Sequence, residues 1–143
     1  MAGTTKNILW IGADRPTIQP YLDLVRIRLG READYYSIAD EGLVAARTTQ
    51  YPLIMVRDIV GASNDFVRKH HLPTGDFPAF SQELIRVMAS EGLNSKTPII
   101  AIGNAAGNYV VPAKYTAAGA REFWDLLEFN SREFEERVKR ILV

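Results

Sequence analysis

The sequence predicts an α/β domain, a five-stranded parallel sheet with helices on both faces. Three observations predict it. Five short β-type runs alternate with helical stretches, the pattern of right-handed strand–helix–strand crossovers. Two of those runs, 53–56 (LIMV) and 98–102 (PIIAI), are apolar without alternation, as strands buried on both faces are. The 143 residues are 47% apolar, enough for one sizeable core, and no internal repeat or second domain interrupts them.

The elements follow in chain order. Residues 7–12 (NILWIG) form the first strand and end in small residues. Residues 15–29 form a helix with Ile18, Leu22, Val25 and Leu29 on one stripe, and Gly30 is its stop. Residues 33–38 (ADYYSI) read as the second strand. A short helix over 40–50 buries Leu43, Val44 and Ala46. The third and fourth strands are the apolar runs 53–56 and 98–102. Between them, a helix from about 80 to 91 carries Leu84, Ile85, Val87 and Met88. It follows the one irregular stretch, 61–78, which reads as a long insertion; a loop of that length is more often functional or mobile than idle. Residues 120–124 are a weaker fifth strand. Residues 131–143 close the chain as a helix with Phe134, Val138, Ile141 and Leu142 on one side and charge on the other.

Composition removes several function classes. Seventeen basic residues balance seventeen acidic ones, so no net field draws nucleic acid or an anionic membrane. The absence of Cys removes disulfides, thiol catalysis and thiolate metal sites together. The run Ile8-Leu9-Trp10-Ile11 is too short for a signal segment, and no stretch approaches a membrane span. A cytoplasmic domain with no nucleic-acid or membrane partner is expected. Two adjacent His residues give no believable Ser-His-Asp set, so an enzyme is not expected.

The carboxylates carry the chemistry that remains. Asp14 and Asp58 each lie just past the C-terminal end of a predicted strand, where open parallel sheets form their ligand crevice. Two carboxylates there are half of a cation site. Asp14 shortly before Pro16 is equally an ordinary helix start, and Asp58 is equally a loop acid paired with Arg57. His70-His71 are poorly spaced for one tetrahedral metal, so a solvated loop is the preferred reading. The run 103–108 (GNAAGN) matches neither the dinucleotide fingerprint nor the phosphate-loop pattern and reads as a plain turn.

Four segments, in order, resemble the receiver domain of two-component response regulators over nearly the whole chain. Residues 12–18 (GADRPTI) resemble V-D-D-E-P-x-I, and 52–59 (PLIMVRDI) resemble P-D-L-V-L-L-D-I without a gap. Residues 97–104 (TPIIAIGN) resemble T-P-I-I-x-L-T-A, and 119–123 (GAREF) resemble G-A-D-D-Y. The resemblance implies a doubly wound, flavodoxin-like sheet of strand order 2-1-3-4-5. It places Asp58 at the phosphoacceptor position, with Arg57 there in an alternative register, and Asp14 at an acid of the Mg²⁺ pair. Phe123 matches the aromatic that moves between buried and exposed positions in that family, ordinary core packing being the other role. Trp124 lies on the opposite side of the strand and marks a docking face.

The departures fall on the chemistry. Gly103 stands where the family has a Thr or Ser hydroxyl, Leu126 or Leu127 where it has Lys, and Ala13 where it has the first acid. Arg57 adds a cation, although in a strict strand it points away from Asp58. The implied cofactor is none, or Mg²⁺ held weakly by Asp14, Asp58 and a backbone carbonyl. The expected function is a pseudo-receiver: a protein-interaction module with absent or weakened phosphorylation. A working receiver phosphorylated on Asp58 is one alternative. Another is a small-ligand or nucleotide-binding domain using Asn104 and Asn108. Implied partners are a histidine kinase, an output domain, or a second copy joined through the last helix and fifth strand.

Overall fold

In the computed structural model, which describes residues 3–12, 14–104, 111–127 and 130–142, five strands form one parallel sheet. They are β1 (Ile8–Ile11), β2 (Ala33–Tyr36), β3 (Ile54–Arg57), β4 (Ile99–Gly103) and β5 (Glu122–Asp125). Their order is β2-β1-β3-β4-β5, as the resemblance implies. The helices are α1 (Arg15–Leu29), α2 (Ala39–Thr48), α3 (Asn64–Lys69), α4 (Phe77–Ser90), α5 (Pro112–Ala118) and α6 (Ser131–Leu142). A two-residue ladder of Gly3–Thr4 on Thr49–Gln50 stands apart from this sheet.

Period-two alternation sorts the strand side chains into two cores. Leu9, Ile11, Ile54, Val56, Ile99 and Ala101 meet α2, α4 and α5 on one face. Ile8, Trp10, Met55, Ile100, Ile102 and Trp124 meet α1 and α6 on the other. Both sides of β1, β3 and β4 are therefore filled, which is why those runs are apolar throughout. On the α1/α6 face the rings of Trp10, Tyr21, Phe134 and Trp124 form a chain of contacts, with Tyr21 and Phe134 edge-on at 4.9 Å. Each such pair adds about 0.5–1.5 kcal/mol beyond the area it buries.

Two expectations are corrected. Val44 is 60% exposed rather than buried. The inward stripe of α2 is Ala39, Gly42, Leu43, Ala45 and Ala46, because Gly42 sits against Ile11 and turns the helix through that contact. The stretch 61–78 is not irregular throughout. Ser63 Oγ accepts from Phe66 N and starts α3, which buries Phe66. Asp76 Oδ1 accepts from Ala79 N and starts α4 at Phe77, with Pro78 in the first turn where no backbone donor is needed. Among the described residues no helix is long and apolar enough to cross a membrane.

Candidate functional site

Strand β3 ends at Arg57, and its partner β4 carries it one step further, because Asp58 N donates to Ile102 O at 3.0 Å. Two helices pin the backbone there. Tyr115 Oη of α5 donates to Asp58 O at 2.6 Å, and Ser81 Oγ of α4 donates to Arg57 O. Neither residue stood out in the sequence, although a hydroxyl inside an apolar helical stripe, as at Ser81, is a usable signal.

Asp58 is only 3% exposed, so the acid that pairs with Arg57 is a buried one. It fills the hollow beside Gly103: a β-carbon on Gly103 would stand 2.1 Å from Asp58 Cγ and 2.5 Å from each carboxylate oxygen. The position that lacks a hydroxyl therefore lacks a side chain for a steric reason, since Asp58 occupies the space. Asp58 Oδ2 accepts a long bond from Asn104 N at 3.4 Å. Oδ1 lies 3.5 Å from Arg57 Nε, and neither of those two buried atoms has a hydrogen-bond partner among the described residues.

Arg57 does not point away. Strict alternation lasts only while the strand lasts, and the chain bends at 58–59. The long arginine stem then brings its guanidinium back over the rim to Asp58. Gly12 makes room for it. Its φ of 103° is left-handed territory, and a β-carbon there would come within 2.9 Å of Arg57 Cβ and 2.7 Å of Val60 Cγ1.

Asp14 stands at the N-cap of α1, exposed, where its Oδ1 accepts from Thr17 Oγ1 at 2.7 Å. That hydroxyl, with a smaller contribution from the Arg57 charge, holds its carboxyl below the usual carboxylate range. It borders a cleft of about 440 Å³ lined by Ser37, Ile59, Val60, Gly61 and Phe77, a lining that does not include Asp58. The two acids thus follow neighbouring parallel strands, but their carboxylates serve different surroundings. Ala13 lies outside the described residues, as do 105–108 of the Gly103–Asn108 turn.

The remaining candidates are packing residues. Trp124 is 1% exposed, seated edge-on to Phe134 at 6.0 Å with Arg137 over its ring, so it is no docking face. Alternation did put it opposite Phe123, but α6 covers that side. Phe123 is half-buried against Tyr115 at 5.2 Å. Leu126 leans on the α1/α6 core where an ammonium was missing, and its N donates to Gly103 O at 2.7 Å. His70 is not solvated: its Nδ1 meets Glu83 Oε2 at 2.7 Å in a half-buried contact. Among the described residues no three His, Asp or Glu gather as a metal cluster.

No family profile and no curated protein sequence matches the chain. Solved structures do. The signal receiver domain of a DNA-binding response regulator from Colwellia psychrerythraea superposes with a TM-score of 0.72 at 13% identity, covering 96% of this chain and 98% of that one. A response regulator receiver domain protein from Methanospirillum hungatei gives 0.66 at 19%, covering 96% and 94%. The receiver domain of a sensor histidine kinase from Pseudomonas aeruginosa gives 0.67 at 15%, covering 96% and 98%, and its structure holds magnesium in the active-site cleft. The fold is the receiver fold.

Magnesium fits the equivalent crevice of this chain poorly. The ion requires close octahedral oxygen ligands. Here one carboxylate is turned into the Gly103 hollow and the other is engaged by Thr17. A dication on Asp58 would also face the Arg57 guanidinium across a few ångströms. Unit charges 4 Å apart interact by about 4 kcal/mol at the permittivity of a protein surface, and a divalent ion doubles that repulsion.

Proposed function

We propose that this chain is a receiver-fold signalling module that acts by binding other proteins, with phosphoryl transfer absent or strongly weakened, and that it is not an enzyme. The observation that supports the reading is the seating of Asp58: its carboxylate is buried in the Gly103 hollow beside Arg57. Accepting a phosphoryl group needs an exposed oxygen and partners for the equatorial oxygens as charge develops. The hydroxyl and the ammonium are replaced by Gly103 and Leu126, and the oxygen is turned inward. Contact with a kinase, an output domain or a second copy is assigned to the exposed, charged side of α6 and the edge strand β5, with Arg132, Glu136 and Arg140 outermost.

Incubation with a small-molecule phosphodonor and Mg²⁺, read by intact mass, tests this. No stable gain is expected. A gain of one phosphate that disappears in Asp58→Asn overturns the reading in favour of a working receiver. That second reading draws on one observation, the position of Asp58 at the end of the central strand beside β4.

A further inference from the structure

We propose that Arg57 is the resident cation of this crevice: its guanidinium stands beside Asp58 in the role a divalent ion would take, and it excludes that ion. The inference rests on the module reading above and deepens it, since it concerns the same carboxylate.

The geometry carries it. Arg57 and Asp58 side chains are 13% and 4% exposed, so the pair is withdrawn from water and each charge needs the other. Their contact is nevertheless long at 3.5 Å, and both facing atoms lack hydrogen-bond partners among the described residues. That is charge neutralisation without a hydrogen bond, the service a point cation gives to a carboxylate. Gly12 admits the arginine stem by its close approach to Arg57 Cβ, and Gly103 admits the carboxylate. One glycine just past β1 and one at the end of β4, the two strands that flank β3, thus make one seat for one ion pair. A dication arriving at Asp58 would meet like charge.

The test is a melting titration with Mg²⁺ at matched ionic strength, using wild type, Asp58→Asn, Arg57→Gln, and Arg57→Gln combined with Asp58→Asn. The wild type is expected to show no saturable shift. Arg57→Gln is expected to gain a saturable rise of about 3 °C, lost in the double variant. A saturable rise in the wild type that Asp58→Asn removes overturns the proposal, as does a folded Arg57→Gln that ignores Mg²⁺. Should Arg57→Gln fail to fold, Mn²⁺ is titrated into wild-type protein and amide line broadening is read by NMR. Broadening centred on residues 14 and 58 sinks the proposal; its absence there supports it. No phosphodonor is present, so metal binding without any mass gain in the earlier assay defeats this inference alone.

Discussion

The two rims of the sheet handle buried polar groups in opposite ways. At the N-terminal rim, Asn94 is 1% exposed and fully engaged. Its Oδ1 accepts from Tyr51 N at 2.8 Å and Thr97 Oγ1 at 2.9 Å, and its Nδ2 donates to Ala46 O and Thr49 O. Nearby, Tyr51 Oη donates to Asp34 Oδ2 at 2.7 Å and Asn7 Nδ2 donates to Asp34 Oδ1. At the C-terminal rim, Asp58 Oδ1 and Arg57 Nε face each other without a hydrogen bond. Satisfied networks rigidify a fold, whereas partly satisfied ones mark where a site keeps free valence. The N-terminal rim holds the sheet together; the C-terminal rim leaves one charged pair without a hydrogen bond between its facing atoms.

The largest test of this contrast is Asn94→Ala. It strands Tyr51 N and two carbonyls, and is expected to cost about 3 kcal/mol in urea unfolding. A cost below that of any rim change at position 103 breaks the contrast. Next comes Gly103→Ala, expected to cost about 2 kcal/mol by driving the Asp58 carboxylate from its hollow. Combined with Asp58→Ala, its penalty should shrink, and simple additivity of the two in a double-mutant cycle would show that the hollow is not shared.

Tyr51→Phe is expected to cost about 1 kcal/mol near neutrality. Burial first, and the Asp34 carboxylate second, push the Tyr51 phenol up. A raised folded value stabilises the protonated form, so the contribution is whole below the ordinary phenol range. It fades as pH climbs above about 10, and stability-versus-pH curves of the two proteins should converge there. Smallest is Glu83→Gln, under about 1 kcal/mol because the contact is partly solvated. Arg86 first, then His70, hold the Glu83 carboxyl low. That contribution is present above the ordinary carboxylate range and is lost as pH falls through it, so acid titration should erase the difference.

Much of the fold was legible because its period was. The apolar runs 53–56 and 98–102 lie on strands filled from both faces, and the 15–29 helix ends at Gly30 as its left-handed stop requires. The misses share a cause. Local pattern puts Val44 on the buried side of its helix and Trp124 on the strand face opposite Phe123, but each one's exposure is decided by what a distant element brings: Ile11 packs on α2 at Gly42, and α6 covers Trp124. The caps at Ser63 and Asp76 were visible letters inside 61–78, masked by their Gly, Pro and His neighbours. At the site, positions were readable and orientations were not. That Asp58 turns toward Gly103, and that Arg57 bends back to it, depends on where β3 stops relative to β4 and on the clearance at Gly12. No spacing along the chain encodes that clearance.

The hollow at Gly103 also sets the order in which this chain could change. Any substitution that puts a hydroxyl at position 103 arrives as a collision with residue 58, not as a gain, unless residue 58 has moved first. Moving residue 58 first strips Arg57 of its counter-charge. Each single step costs stability, so a side chain at position 103 would require paired changes.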